Sequence, residues 1–323
     1  MLYDARDGVF VRLMLKMLAV VLPLQVLLYF YFTPWLAAAY LAFVVGWLGP
    51  PVILMLHNTM HRPLFRRRAL LNRAHPYVMT FLFGIPAGYA EHHVGMHHVE
   101  NNLADDLSST MKYQRDHFGH FLIYVARFFF LSHVQLPAYL FKKKRDRLAR
   151  RAITWELIHF VLIVGLCFVN WQATLVAFIL PYVLVRFAMM VGNWGQHAFI
   201  DARQPGSSYL NSITCINSGY NKRCFNDGYH IGHHVKQNRH WTELPADFDA
   251  NRERYAREGS IVFEKLDFFV VSVLLFLRRY DVLAKHYVNL SDKPMSQDEI
   301  ELLLRERTRP IAVASHQAVA FAG

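Results

Sequence analysis

Two membrane-length apolar runs near the start of the chain constrain it more than any other feature. Val11 to about Phe32 is apolar except for Arg12 and Lys16 near its start, and Trp35 to Leu56 follows almost at once. Each run approaches the roughly 20 residues needed to cross a bilayer core. Thr33-Pro34 leaves room only for a tight turn, which predicts an antiparallel helical pair. Ala37-Ala38-Ala39 has the look of a signal-peptide cleavage site, but the second run favours an uncleaved hairpin. A second pair is predicted at about Ile153–Asn170 and Ala173–Gly192, turning at Asn170-Trp171-Gln172. The apolar pieces at 76–90 and 118–141 suit the interface better than a crossing. So does 261–277, which carries Glu264, Lys265 and Asp267.

The fold class that follows is all-α integral membrane. Two transmembrane hairpins, with spans near 12–32, 35–56, 153–170 and 173–192, lie under a cytosolic helical cap formed by 57–152 and 193–307. Residues 1–307 read as a single domain and 308–323 as a disordered tail. Charge orients the arrangement. The net charge is +11, and the basic runs Arg66-Arg67-Arg68 and Lys142-Lys143-Lys144-Arg145 flank apolar blocks on the side of the N-terminus. The hairpin tips carry no Lys or Arg, so the positive-inside rule makes the basic face cytosolic. This placement favours lipid headgroups and an acidic protein as partners over nucleic acid. The three cysteines, Cys167, Cys215 and Cys224, show no CxxC spacing and indicate neither a zinc site nor a disulfide framework.

The 18 histidines carry the chemistry. Four clusters stand out: His57-Asn58-Thr59-Met60-His61, His93-Val94-Gly95-Met96-His97-His98, Asn193-Trp194-Gly195-Gln196-His197 and His230-Ile231-Gly232-His233-His234. Residues three or four apart share a helix face. Each cluster is therefore expected to present its imidazoles, or an amide, to a common point. Under the topology above, all four fall on the cytosolic face. Nine histidines and an asparagine exceed what one metal uses and suit two ions of five or six ligands. Imidazole alone does not name the metal. Asn193 fits the holding of a metal-bound water better than direct ligation. Glu91, Glu100, Asp105, Asp106 and Asp227 are candidates to orient the rings from behind. His75, His92, His117, His120, His133, His159, His240 and His286 fall outside this pattern.

The boxes resemble those of the membrane fatty acid desaturase-like superfamily, which also contains alkane and fatty acid hydroxylases. The resemblance covers roughly residues 35–240, with the boxes in family order. Asn193/His197 is similar to an Asn-x-x-x-His motif of animal acyl-CoA desaturases. Glu91-His92 and Gly95 also resemble the box of alkane hydroxylases, with one residue more. The resemblance implies two non-haem irons held by His57, His61, His93, His97, His98, His197, His230, His233 and His234, with Asn193 acting through water. No catalytic residue beyond these ligands is indicated.

It further implies O2 as co-substrate and attack on an unactivated C–H bond of a fatty acid, acyl-lipid or acyl-thioester. Desaturation is the first expectation, with hydroxylation or oxidative decarboxylation to a terminal alkene as alternatives on the same centre. Electrons would come from a separate ferredoxin or cytochrome, because no His-Pro-Gly-Gly donor motif is fused to the chain. Phe43, Trp47, Leu54, Phe187, Met189 and Met190 are candidates to line an acyl pocket. Arg62 and Arg66–Arg68 are candidates for a headgroup site, although positive-inside anchoring explains them as well.

Two readings from other classes compete. A membrane zinc transporter or sensor would place its ligands near mid-span, whereas the clusters lie past the helix ends. A zinc hydrolase would need a glutamate beside the first histidine, where this chain has Asn58.

Overall fold

The structure, a computed structural model, describes residues 2–312, most of which are helical. Among the described residues, four helices are long and apolar enough to cross a membrane: Ala5–Phe30, Pro34–His61, Phe118–Lys142 and Asp146–Gln196. That composition is consistent with an integral membrane protein. The first two coincide with the first pair read from sequence. Asp146–Gln196 contains both runs of the second pair and is interrupted at Asn170, whose φ of −160° and ψ of 101° are extended. Asn170 Oδ1 accepts from Ala173 N at 3.1 Å, which caps the turn that follows.

Phe118–Lys142 covers the piece expected at the interface, and its length and composition alone would also allow a crossing. His133 lowers its apolarity, but that ring is matched inside the protein. Arg186 Nη1 donates to His133 Nε2 at 3.0 Å, so the other ring nitrogen, Nδ1, carries the hydrogen and donates to Glu156 Oε2 at 3.1 Å. Arg186 also donates to Tyr182 OH at 2.5 Å, and Gly88 N donates to Glu156 Oε1 at 3.3 Å. An Arg–His–Glu chain thus pairs charges that a membrane would otherwise penalise.

The chain divides into two compact units. The first comprises the residues up to Gly95 together with His133–Ala188. Inside it, Gln25 Nε2 donates to Tyr40 OH at 2.9 Å and to Leu82 O at 3.3 Å, and Tyr29 OH meets Thr174 Oγ1 at 2.6 Å. Such bonds matter most where no water can replace them. Trp35, Trp47, Leu157, Val161 and Phe168 are exposed, as expected of lipid-facing positions. Phe43 and Phe187, proposed above as pocket residues, are exposed as well. Leu54 and Met190 are buried, so the six candidates do not form one lining. Arg66, Arg67 and Arg68 are exposed.

The second unit, Met96–Ser132 with the described residues from Met189 on, corrects the purely helical expectation. Ile213–Ile216 (β1) pairs in parallel with Ile261–Glu264 (β2), in the register Ile213↔Ile261 to Ile216↔Glu264. The interfacial helix expected over 261–277 is therefore a strand followed by a helix that begins at Phe268. Ile261, Val262 and Phe263 are β-branched or aromatic and wholly buried, which favours a strand. Asp267 Oδ1 then accepts from Phe269 N and Val270 N at 2.9 and 3.0 Å and starts the helix.

Of the expected tail, 308–312 are described and 313–323 lie outside the described residues. Thr308 is buried, and Ile311 N donates to Met111 O at 2.9 Å. The buried Arg115 guanidinium donates to Ala198 O, Met111 O, Arg307 O and Arg309 O at 2.6–2.9 Å. Burial lowers its pKa to about 9, yet these carbonyls stabilise the cation, which remains charged at neutral pH.

Candidate metal centre

In the first unit, Pro34–His61 ends on His57 and His61, one turn apart, and His93 joins them. The ring centroids of His57 and His61 are 5.3 Å apart, and those of His57 and His93 are 4.4 Å apart. His61 Nε2 and His93 Nε2 face each other at 3.0 Å. His57 and His93 are buried and His61 is half-buried.

The second unit carries a buried quartet: His97, His197, His230 and His234, whose ligand atoms all lie within 4.8 Å of one another. His230 Nε2 and His197 Nε2 are 3.4 Å apart. The same unit brings His233 Nε2 within 3.0 Å of His98 Nε2.

The boxes are therefore not each aimed at one point, as spacing suggested. His93 stands with His57 and His61, His97 belongs to the quartet, and His98 faces His233. The physical reason is a π-helical turn over His93–His97, which widens the helix and rotates His97 and His98 away from their α-helical positions. Arg145 Nη1 donates to Gly95 O within this turn at 2.5 Å, satisfying a carbonyl of the altered ladder. In the short helix His230–Val235, His230 and His234 join the quartet while His233 turns to His98.

Three quartet rings are oriented from behind. His97 Nδ1 donates to Asp106 Oδ2 at 2.7 Å, and Ser108 fixes the other carboxylate oxygen through its N–H and Oγ at 2.8 and 2.7 Å. His197 Nδ1 donates to Asn211 O at 2.8 Å, and His234 Nδ1 donates to Asn101 Oδ1 at 3.1 Å. Asn101 Nδ2 donates to Gly206 O at 2.9 Å, so its oxygen is committed as the acceptor. With Nδ1 protonated, Nε2 of each ring keeps its lone pair. Burial lowers His197 to about 3 and, with neighbouring imidazoles, holds His230 well below its usual value. Both are neutral at pH 7, the form that binds metal.

The Nε2 spacings suit a shared ion. With metal–nitrogen bonds of about 2.1 Å, neighbouring ligand atoms stand roughly 3.0 Å apart at right angles and roughly 3.4 Å apart in a tetrahedron. The observed 3.0 and 3.4 Å contacts match that range. Between metal-free rings, one member of each pair would instead have to donate.

Of the carboxylates expected to orient rings, Asp106 does so. Glu91 is taken by Tyr77 OH at 2.7 Å and Arg151 Nε at 2.5 Å. Asp227 accepts from Tyr220 OH at 2.8 Å and Gln196 Nε2 at 3.3 Å, and burial raises its pKa to about 7. Asp105 is exposed. Asn101, Ser108 and Asn211 were missed, because a neutral side chain or backbone carbonyl reached from another segment leaves no spacing signal. Asn193 donates to Ser108 O at 3.0 Å and Tyr124 OH at 2.7 Å, which commits both amide hydrogens.

Membrane-length helices and histidine groups able to hold metal mark a class of membrane-associated metalloproteins. Within it, the chain belongs to the fatty acid desaturase family, whose model matches residues 32–265. No curated protein and no solved structure shows significant similarity to it. Membership makes the chain an oxidoreductase of the desaturase and hydroxylase type, with a lipid or fatty acyl substrate.

Proposed function

We propose that the chain holds two irons and uses O2 to oxidise an unactivated C–H bond in a fatty acid or fatty acyl chain, with desaturation as the first reaction to test. The observation that carries this reading is the sorting of nine histidines into sets with ligand spacing, in a chain of this family. His97, His197, His230 and His234 would hold one ion. The family resemblance assigns the remaining histidines to the other ion. An iron pair with O2 supplies the oxidant that no side chain can provide.

The protein's own part is positioning. Asp106, Asn211 and Asn101 hold three rings by Nδ1, leaving Nε2 of each to face an ion that the quartet would hold. Asn193, whose amide hydrogens are committed, would offer Oδ1 to a metal-bound water. Burial of the quartet keeps bulk water out and holds His197 and His230 neutral. The positive-inside pattern supports a multi-pass chain whose N-terminus and histidine-rich face are cytosolic. A basic cytosolic face suits an acidic ferredoxin or cytochrome as separate donor.

Metal analysis of iron-replete protein in detergent tests the centre. About two irons per chain is the expected result, and stoichiometric zinc without iron would overturn it in favour of a zinc transporter or sensor. Product analysis with fatty acids of several lengths then separates alkene, alcohol and terminal-alkene products. His233→Ala is expected to abolish turnover while the protein stays in the membrane.

A further inference from the structure

A second site lies within the first unit, apart from the histidine groups. A cavity of about 200 Å³ opens beside the helix Ala69–Phe83 and the 155–162 segment of the helix Asp146–Gln196. Tyr77 and Trp155 form one wall, stacked with ring centroids 4.3 Å apart and planes 10° from parallel. At the mouth, Val78, Ile158 and Leu162 are all exposed, so in a membrane the opening faces hydrocarbon.

His159 also lines this cavity, and it is the anomaly. The residue is only 3% exposed, and neither ring nitrogen has a hydrogen-bond partner. Its neighbours are Phe81, Tyr182 and Phe160, at ring distances of 5.4, 5.4 and 5.9 Å. The hydroxyl of Tyr77 is already given to Glu91. A buried polar group without a partner is costly and points to something that meets it.

We propose that this cavity takes, from the bilayer, a hydrocarbon chain with a protic, uncharged head, either a hydroxyl or a carboxylic acid, which hydrogen-bonds to His159. A neutral imidazole carries one N–H and one lone pair. Only a donor meets the lone pair, so an ester, a ketone or a carboxylate leaves it unmatched and an alkane meets neither nitrogen. The volume exceeds that of a cavity known to hold benzene, so roughly six carbons fit inside, with the rest of the chain in the lipid. This binding requires no metal and is independent of the reaction proposed above.

The test uses the full chain in phosphatidylcholine nanodiscs and hexadecanoic acid bearing a mid-chain diazirine. Photolabel is expected on peptides from 69–83 and 155–162, unchanged after chelator treatment. Unlabelled hexadecanoic acid and hexadecanol should compete, and the stronger competitor names the head group. Methyl hexadecanoate and hexadecane should compete about tenfold less well, the worth of one hydrogen bond at the upper end of its range. His159→Phe should erase the preference for a protic head. Ala87→Leu, which fills the cavity from another wall, should lower labelling by every probe and serves if the first variant does not fold. Label confined to other segments, equal competition by the methyl ester, or a preference that survives His159→Phe would each overturn the proposal.

Discussion

The trio of the first unit and the quartet of the second are built from the same side chain by different means. His57 and His61 sit on one continuous helix, Pro34–His61, so helical spacing alone brings their rings together. The quartet draws His97, His197, His230 and His234 from three separate segments. Spacing along the chain cannot align these, and polar residues behind the rings do it instead: Asp106, Asn211 and Asn101. Where one helix supplies two ligands a turn apart, backbone geometry aligns that pair. Where several do, the site depends on residues that never touch the ion.

The sharpest way to break this comparison is to remove one ligand from each set. His234→Ala and His57→Ala are each expected to abolish turnover. Each should also lower bound metal from about two ions per chain towards about one, read by metal analysis after gel filtration. If either variant lost both ions together, the sets would not be separate sites.

A smaller effect is expected behind the rings. Asp106→Ala leaves every ligand in place but frees His97 Nδ1 from its acceptor. Loss of such a partner commonly costs 10–100-fold in metal affinity. Chelator competition should show one of the two ions leaving more readily and the other unchanged. Equal release of both ions would contradict the assignment of Asp106 to the quartet alone.

Packing comes next in size. A Cβ on Gly195 would lie 2.3 Å from Phe268 O, a backbone atom that cannot swing aside. Gly195→Ala should therefore cost about 1–3 kcal/mol by overpacking. It would also displace the helix end that carries Asn193 and His197, so thermal melting and metal affinity should fall together. Stability that fell with metal affinity intact would show that the quartet tolerates movement of that helix.

The same contrast explains what could be read from the sequence. The apolar runs at 11–32 and 35–56, and the break at Asn170, were legible because they depend on local composition. The nine histidines were legible because their spacings repeat in four clusters. Their sorting was not, because it rests on a π-helical turn at His93–His97 that no residue type announces. Strand β2 was misread as part of an interfacial helix: Ile261-Val262-Phe263 fits either, and the partner strand that decides the matter lies far back at Ile213–Ile216. Phe118–Lys142 was read as an interfacial piece, and the pairing inside it was not legible because the partners of His133, Glu156 and Arg186, lie on a later helix.

The smallest expected effect concerns how the C-terminal segment is held to the second unit. Arg307 Nη2 donates to Asp201 Oδ2 at 3.0 Å, and Ile200 N donates to Arg307 O at 3.0 Å. Asp201 also faces Arg203, the first cause of a carboxyl pKa lowered to about 2, with Arg307 adding to it. Arg203 is exposed, so its share is weakened by solvent screening, and the buried Arg307 is the partner that matters for docking. The folded pKa lies below the unfolded value, so this stabilisation is fully present above about pH 4 and is lost as pH falls towards 2. Hydrogen exchange in residues 300–308, compared with Asp201→Asn at each pH, should show extra protection in the native protein at pH 6 that shrinks below pH 4. If the two proteins exchanged alike at pH 6, the carboxylate would not be what holds the segment, leaving that role to Arg115 and the carbonyls around it.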